Sequence, residues 1–194
     1  MLDLLAIMTI IFWPVVPLFW IPVHGLSGIF KRIGPLTYLS PLITWLPLAY
    51  LIYKQKAFIL QFNINLPLLI NTAGMILLVL GTFLHLWTGK LLGLWGLIGL
   101  PEVYSRIKGK LVAGGPFSVV RHPTYFAHTL IFTGVFLITG AAAVAIITIL
   151  DFILINLIII PLEEKELLNR FGEKYRQYRD RVPRYFPHGV NKGV

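Results

Sequence analysis

The sequence predicts an all-α integral membrane protein of about five transmembrane helices with an amphipathic helix near its C-terminal end, and three observations carry that prediction. Hydrophobic residues make up 57% of the 194-residue chain and charged residues only 13%, against about 25% charged in soluble domains. The mean hydropathy is +0.78, and the apolar residues fall in runs near the ~20 that a helix needs to cross a bilayer. After Pro161 the pattern changes: apolar and charged residues separate at the helical period. With no cysteine in the chain, disulfide frameworks, thiolate metal sites and cysteine nucleophiles are excluded.

The first span is "LLAIMTIIFWPVVPLFWIPV", Leu4 to Val23. It lacks the basic start and small-residue cleavage site of a secretory signal, so it reads as a retained helix bent by Pro14, Pro17 and Pro22. A second span runs from about Pro35 to Tyr53, and a third from Leu66 to Trp87. In the third, Ala73, Gly74 and Gly81 would let a neighbouring helix approach closely. The run Leu91 to Leu100 is apolar but short and glycine-rich, and is expected to be interfacial or re-entrant. Pro123, a good first-turn residue, opens the fourth span, which ends near Gly140. Ala141 to Ile160 makes the fifth. The chain thus reads as one membrane domain: three spans in residues 1–88, then a half, 89–194, that holds the hairpin 123–160 and the tail 161–187.

Basic residues set the expected orientation. Lys90, Arg106, Lys108, Lys110 and Arg121 share a side with Lys165, Arg170, Lys174, Arg176, Arg179, Arg181, Arg184 and Lys192 if spans four and five form a tight hairpin. The positive-inside rule places that face in the cytoplasm, with Lys31 and Arg32, and the N-terminus outside; Lys54 and Lys56 oppose it. The net charge of +9 then faces anionic lipid headgroups, the expected partner. Nucleic acid is not expected, because no soluble domain is present to carry a reading element.

Few polar residues interrupt the apolar runs. Asp151 lies mid-span and needs a partner; His128 sits at the matching depth on span four, which predicts a His128–Asp151 contact. The loop "GPFSVVRHPTY", Gly115 to Tyr125, sets a cation and an imidazole against the proline that opens a span. Glu163 and Glu164 leave the membrane on the same side as that loop. In the tail, Leu167, Leu168, Phe171, Tyr175 and Tyr178 form an apolar stripe expected to lie on the membrane surface.

The loop, the apolar hairpin, the acidic pair and the ending "FGEKYRQYRDRVPRYFP" together resemble the isoprenylcysteine carboxyl methyltransferases and related phospholipid methyltransferases, over roughly Glu102 to Pro187. The resemblance implies an S-adenosylmethionine-dependent enzyme without a Rossmann fold, its cofactor pocket formed by the C-terminal half and no metal required. Carried over residue by residue, the cofactor site falls on Gly109, Lys110, Leu111, Val112, Gly115, Phe117, His122, Pro123, Thr124, Tyr125 and Glu163, with Glu102 a further candidate. Glu163 suits the ammonium of the methionine moiety, and His122, Arg121 and the first N–H groups of span four suit its carboxylate. His122 is expected on a surface loop.

Methyl transfer asks the protein to align donor and acceptor and to exclude water. An acceptor carboxylate, as on a prenylated cysteine, wants a guanidinium, and Arg121, Arg181 and Arg184 are available. Tyr125 is placed to press on the reacting centre or to bond the substrate. An amine, as on phosphatidylethanolamine, wants a base, for which His128 and Glu164 are candidates. Eukaryotic carboxyl methyltransferases of the family carry an arginine one turn before the acidic pair, where this chain has Ile159. The acceptor therefore stays open among a lipid-like carboxylate, amine or thiol. A lipid-binding scaffold without catalysis is the alternative from another class.

Overall fold

The computed structural model describes residues 2–104, 106–107 and 109–185. Lys108 and Lys192, counted above for orientation, and the end of the matched tail at Phe186 and Pro187 lie outside them. Among the described residues the regular structure is all helical apart from a lone antiparallel bridge between Asn63 and Ala141. No doubly wound sheet is present among them, in keeping with the expected departure from the Rossmann architecture.

Helices α1 (Leu2–Phe12) and α2 (Val15–Gly25) form one apolar rod of 24 residues, broken where Trp13 and Pro14 interrupt the hydrogen-bond ladder. Helix α3 (Ser27–Ile33), a 3-10 turn (Gly34–Tyr38) and α4 (Leu39–Lys54) make a second, longer and starting earlier than expected. No residue of α4 is fully buried; Trp45 stacks on Phe12 and donates to Ile11 O, and most of the other apolar side chains face outward. The short α5 (Lys56–Ile59) leads to α6 (Leu68–Leu97), which swallows much of the stretch expected to be interfacial. It does so by bending at Gly93, whose φ of 69° and ψ of 170° no other residue type adopts cheaply. Beyond the bend come α7 (Leu100–Val103) and a loop with a 3-10 turn at Gly115–Ser118.

Helix α8 (Pro123–Thr139) begins and ends where the sequence places it. At 17 residues it is shorter than the four helices long and apolar enough to cross a membrane. It packs antiparallel along α6, and glycines set the separation. A Cβ on Gly134 would sit 2.7 Å from the backbone N of Leu78, and one on Gly74 2.8 Å from Leu137 Cβ. Where lipid removes the hydrophobic drive between helices, such close contact is what binds them.

Helix α9 (Ala142–Leu154) runs through a π-turn (Ile155–Ile159) into α10 (Ile160–Phe171). The expected boundary at Pro161 is therefore corrected: span and tail are one 30-residue rod, and the π-turn absorbs the hydrogen bond that proline cannot donate. Gly172 then turns the chain into α11 (Glu173–Arg181). The hairpin core gathers Ala6 and Ile10 of α1 against Val135, Ala141, Val144 and Ile147.

The His128–Asp151 contact is not made. Asp151 accepts a hydrogen bond from Trp13 Nε1 at 3.0 Å, pinning the break between α1 and α2. His128 faces α6 instead, its ring centroid 5.1 Å from that of His85. Equal depth on two helices did not decide which faces meet.

Candidate functional site

The glycine-rich loop, the start of α8 and the acidic pair do converge, and the chemistry begins at Arg121. Its Nε and Nη2 donate to Glu164 Oε1 at 3.1 and 3.0 Å, and Nη1 donates to the carbonyls of Arg179 and Val182. Its backbone N–H donates to the Pro183 carbonyl at 2.8 Å. Four of the five guanidinium donors are thus used in holding the tail against α8. The expected reacting role of Arg121 is corrected accordingly: it lines the cavity described next, but as a clamp.

His122 lies between the two carboxylates of the pair. Its Nε2 is 3.0 Å from Glu164 Oε1 and its Nδ1 3.6 Å from Glu163 Oε2. The side chain is only 4% exposed, so the expectation of a surface-loop imidazole fails: the tail folds over it. Glu164 also has Arg184 at 3.9 Å. With Arg121, His122 and Arg184 around it, Glu164 lies off the cavity wall, not at a substrate position.

A cavity of about 530 Å³ opens beside this clamp. Of the candidates read from sequence, Glu102, Gly109, Lys110, Leu111, Val112, Phe117, Arg121, His122, Thr124, Tyr125, His128 and Glu163 line it. Gly115, Pro123, Arg181 and Arg184 do not. Gly115 holds a φ of 60° in the turn, with Leu91 at 2.9 Å from where a Cβ would stand. Pro123 is buried in the first turn of α8. Arg181 is exposed and donates Nε to Gln177 O within its own helix, which removes it from the substrate site assigned to it. Arg184 is engaged near Glu164 rather than in the cavity.

Several lining residues escaped the sequence reading. Arg170 donates Nη2 to Glu102 Oε1 at 2.7 Å, while its Nε and Nη1 are buried without a protein partner. Glu166, on the face of the tail assigned to water, is buried between Arg170 at 3.2 Å and Lys31 at 3.4 Å. Glu163, Leu167 and Arg170 fall at i, i+4 and i+7, one helix face that a helical wheel would have shown. Tyr175 and Tyr178, expected on the membrane surface, are buried and turned into the cavity wall. The Tyr178 hydroxyl donates to Phe117 O at 2.7 Å, tying α11 to the loop. Burial pushes this hydroxyl up to about 12 and raises Tyr175 as well, so both act as neutral donors. Trp20, Trp95 and His85 are further additions from α2 and α6.

Buried polar atoms without protein partners concentrate here. His85 Nδ1, Glu102 Oε2, Thr124 Oγ1, His128 Nδ1, Glu163 Oε2, Arg170 Nε and Nη1, and Tyr175 OH all belong to cavity-lining residues. Buried polar groups are normally paired, so this concentration marks a wall built for a polar ligand. It offers a carboxylate oxygen beside a guanidinium edge, with apolar and aromatic surface between. At the N-terminus of α8 the first-turn N–H groups of Thr124 and Tyr125 precede any helical acceptor and add to the anion-binding side. Ile159, where the eukaryotic relatives were noted to carry arginine, is fully buried against Tyr125 and the α2 side chains.

Comparison with known proteins follows the same half of the chain. The sequence model of the phospholipid methyltransferase family matches residues 69–174, more than half of the chain. A cobalt-zinc-cadmium resistance protein, CzcN, of Cupriavidus metallidurans is 31% identical over 121 residues, 62% of this chain and 50% of the relative. Methanethiol S-methyltransferase 1 of Bradyrhizobium diazoefficiens is 29% identical over 126 residues, 61% of this chain and 40% of the relative. The match thus spans half or less of the length of these curated relatives. No solved structure gives a significant match.

Proposed function

From the premise that this chain belongs to the phospholipid methyltransferase family, we propose that it is an S-adenosylmethionine-dependent methyltransferase acting on a lipophilic acceptor at the membrane. The observation that carries the reading is that Glu163 Oε2 and Arg170 Nε and Nη1, buried and without a hydrogen-bond partner in the protein, belong to residues lining one cavity. That set suits a zwitterionic amino-acid head: Glu163 Oε2 for its ammonium, and Arg170 Nε and Nη1 with the first N–H groups of α8 for its carboxylate. The loop from Gly109 to Val112 and the aromatic faces of Trp20 and Phe117 suit a nucleoside. When bound, the cofactor supplies a methyl group on positive sulfur, ready for in-line displacement.

The chain's own residues then orient and enclose. Tyr125, 8% exposed and stacked with its ring centroid 5.9 Å from that of His122, forms part of the wall and excludes water. Isoprenylcysteine carboxyl methylation remains one acceptor reading and phosphatidylethanolamine N-methylation another. The first wants a guanidinium at the acceptor: Arg181 and Arg184 stand outside the cavity, and of the arginines that line it Arg121 is engaged as the clamp and Arg170 is bonded to Glu102. The relative named for methanethiol brings a sulfur acceptor into the same comparison.

Isothermal titration of detergent-purified protein with S-adenosylhomocysteine tests the reading. Binding is expected in the wild type and should be lost in Glu163→Gln. A folded protein that evolves no heat would favour the lipid-binding scaffold instead. We include five crossings, the short α8 among them as the fourth, with the cavity mouth at the cytosolic interface and the N-terminus opposite. In this cysteine-free chain a single cysteine at exposed Ser118 should react with an impermeant maleimide only from the cytosolic side.

A further inference from the structure

We propose that the inner part of the cavity is the acceptor site and that it takes a thiol, whose proton passes to the imidazole pair His85 and His128; this rests on the methyltransferase reading above. The two rings come from different helices, α6 and α8, and meet in the cavity wall with centroids 5.1 Å apart. Each has a buried Nδ1 with no partner, and among the described residues no hydrogen bond joins either ring to another side chain. Two buried imidazoles facing one another across a helix interface, each with an unpaired Nδ1 and no carboxylate to orient it, invite a ligand where a structural pair would be satisfied.

Position separates them from the charged groups. His128 lies six residues past His122, about 9 Å further along α8. Glu102, Glu163 and Arg170 bond or face one another near the start of α8, whereas the neighbours of His128 are His85 and Phe132, the latter 5.8 Å between centroids. An ammonium placed between the imidazoles would lack a carboxylate, and a carboxylate would lack a cation; either desolvated charge is costly. A thiol is uncharged and behaves as a small hydrophobe, so it enters such a wall freely. It must then lose its proton to become a nucleophile. The two imidazoles, each with a ring nitrogen that has no partner, are the bases nearest that position in the wall.

The step balances. The S–H bond breaks and its proton goes to an imidazole ring nitrogen. The thiolate sulfur forms its bond to the methyl carbon as the donor's own carbon–sulfur bond breaks, leaving a thioether, and the imidazolium releases its proton to solvent through the mouth.

The test uses the full chain in lipid nanodiscs with methyl-labelled S-adenosylmethionine and three matched acceptors: 1-octanethiol, octanoate and octylamine. Labelled thioether is expected to exceed the other products by at least about tenfold. His85→Gln and His128→Gln are each expected to lower kcat with octanethiol about 100-fold, in the range of a lost general base. Affinity for S-adenosylhomocysteine, unchanged within about twofold, would show that both variants are folded. A second readout is the pH profile: kcat of the wild type with octanethiol should rise and level off as the imidazoles become neutral, whereas the residual rate of the double variant should keep rising with ionisation of the thiol in solution. Faster labelling of the amine or carboxylate, wild-type kcat in both variants, or no labelled thioether from protein that binds S-adenosylhomocysteine overturns the thiol assignment. Failure of the folded wild type to bind S-adenosylhomocysteine overturns the methyltransferase reading and this proposal with it.

Discussion

Glu163 and Glu164 are neighbours in the chain and belong to different parts of the molecule. Glu164 is surrounded by Arg121, His122 and Arg184 and holds the tail to the start of α8. Glu163, one residue and about 100° around the helix away, lines the cavity, its Oε2 without a hydrogen bond and with only His122 Nδ1 nearby at 3.6 Å. The same division separates the two arginines: Arg121 has four of five donors engaged, and Arg170 keeps two buried nitrogens without a protein partner. A clamp satisfies its charges within the protein; a ligand site leaves some of them facing a cavity. Residue type says nothing about which is which, but the hydrogen-bond inventory does.

The sharpest way to break that comparison is Arg121→Ala. It leaves Glu164 half-compensated in a largely buried position, and the expected loss is about 3 kcal/mol of stability, in the range for breaking one side of a buried pair. Chemical unfolding in detergent measures it, and an unchanged midpoint would mean that the clamp is idle. Glu163→Gln should do the reverse: stability within about 1 kcal/mol of wild type, but affinity for S-adenosylhomocysteine down about 10- to 100-fold, as for a lost charge-assisted hydrogen bond. Titration calorimetry checks it; equal destabilisation in both variants would erase the distinction between clamp and site. Next comes Tyr178→Phe, which removes the bond to Phe117 O and should cost about 1 kcal/mol. Arg181→Ala closes the series. Exposed and bonded only within α11, it should shift stability by less than about 0.5 kcal/mol and leave affinity untouched; a loss of affinity would return it to the site.

Much of the fold was legible because hydropathy and proline report position along the chain. The limits of α8 and the presence of a hairpin followed from Pro123, Gly140 and the apolar runs. Gly74 and Gly81 were read as close-approach positions, and a Cβ at either would meet α8 within 3 Å. The site was partly legible too. The loop from Gly109 and the acidic pair meet, with Glu163 3.6 Å from His122 on one cavity. What escaped was contributed from elsewhere: Trp20 from the first rod, His85 and Trp95 from α6, and Arg170 from a tail face assigned to water. In a chain this apolar, a helix has no wet side to betray which face is inward, so His128 was paired with Asp151 when its neighbour is His85.

By itself, the sequence determined that the chain is a bundle of apolar helices, where its fourth helix opens, and which loop and acidic pair carry polar chemistry. Those are properties of local composition and spacing, set by backbone hydrogen bonding and by transfer from water. Only the tertiary structure decided rotation: which carboxylate of the pair faces the cavity, which arginine is engaged, and which two histidines meet. The reason is that lipid is as apolar as the helix interior, so facing lipid and facing a neighbour look alike in the chain. Packing through Gly74, Gly81 and Gly134, and the clamp at Arg121, select the face that turns inward.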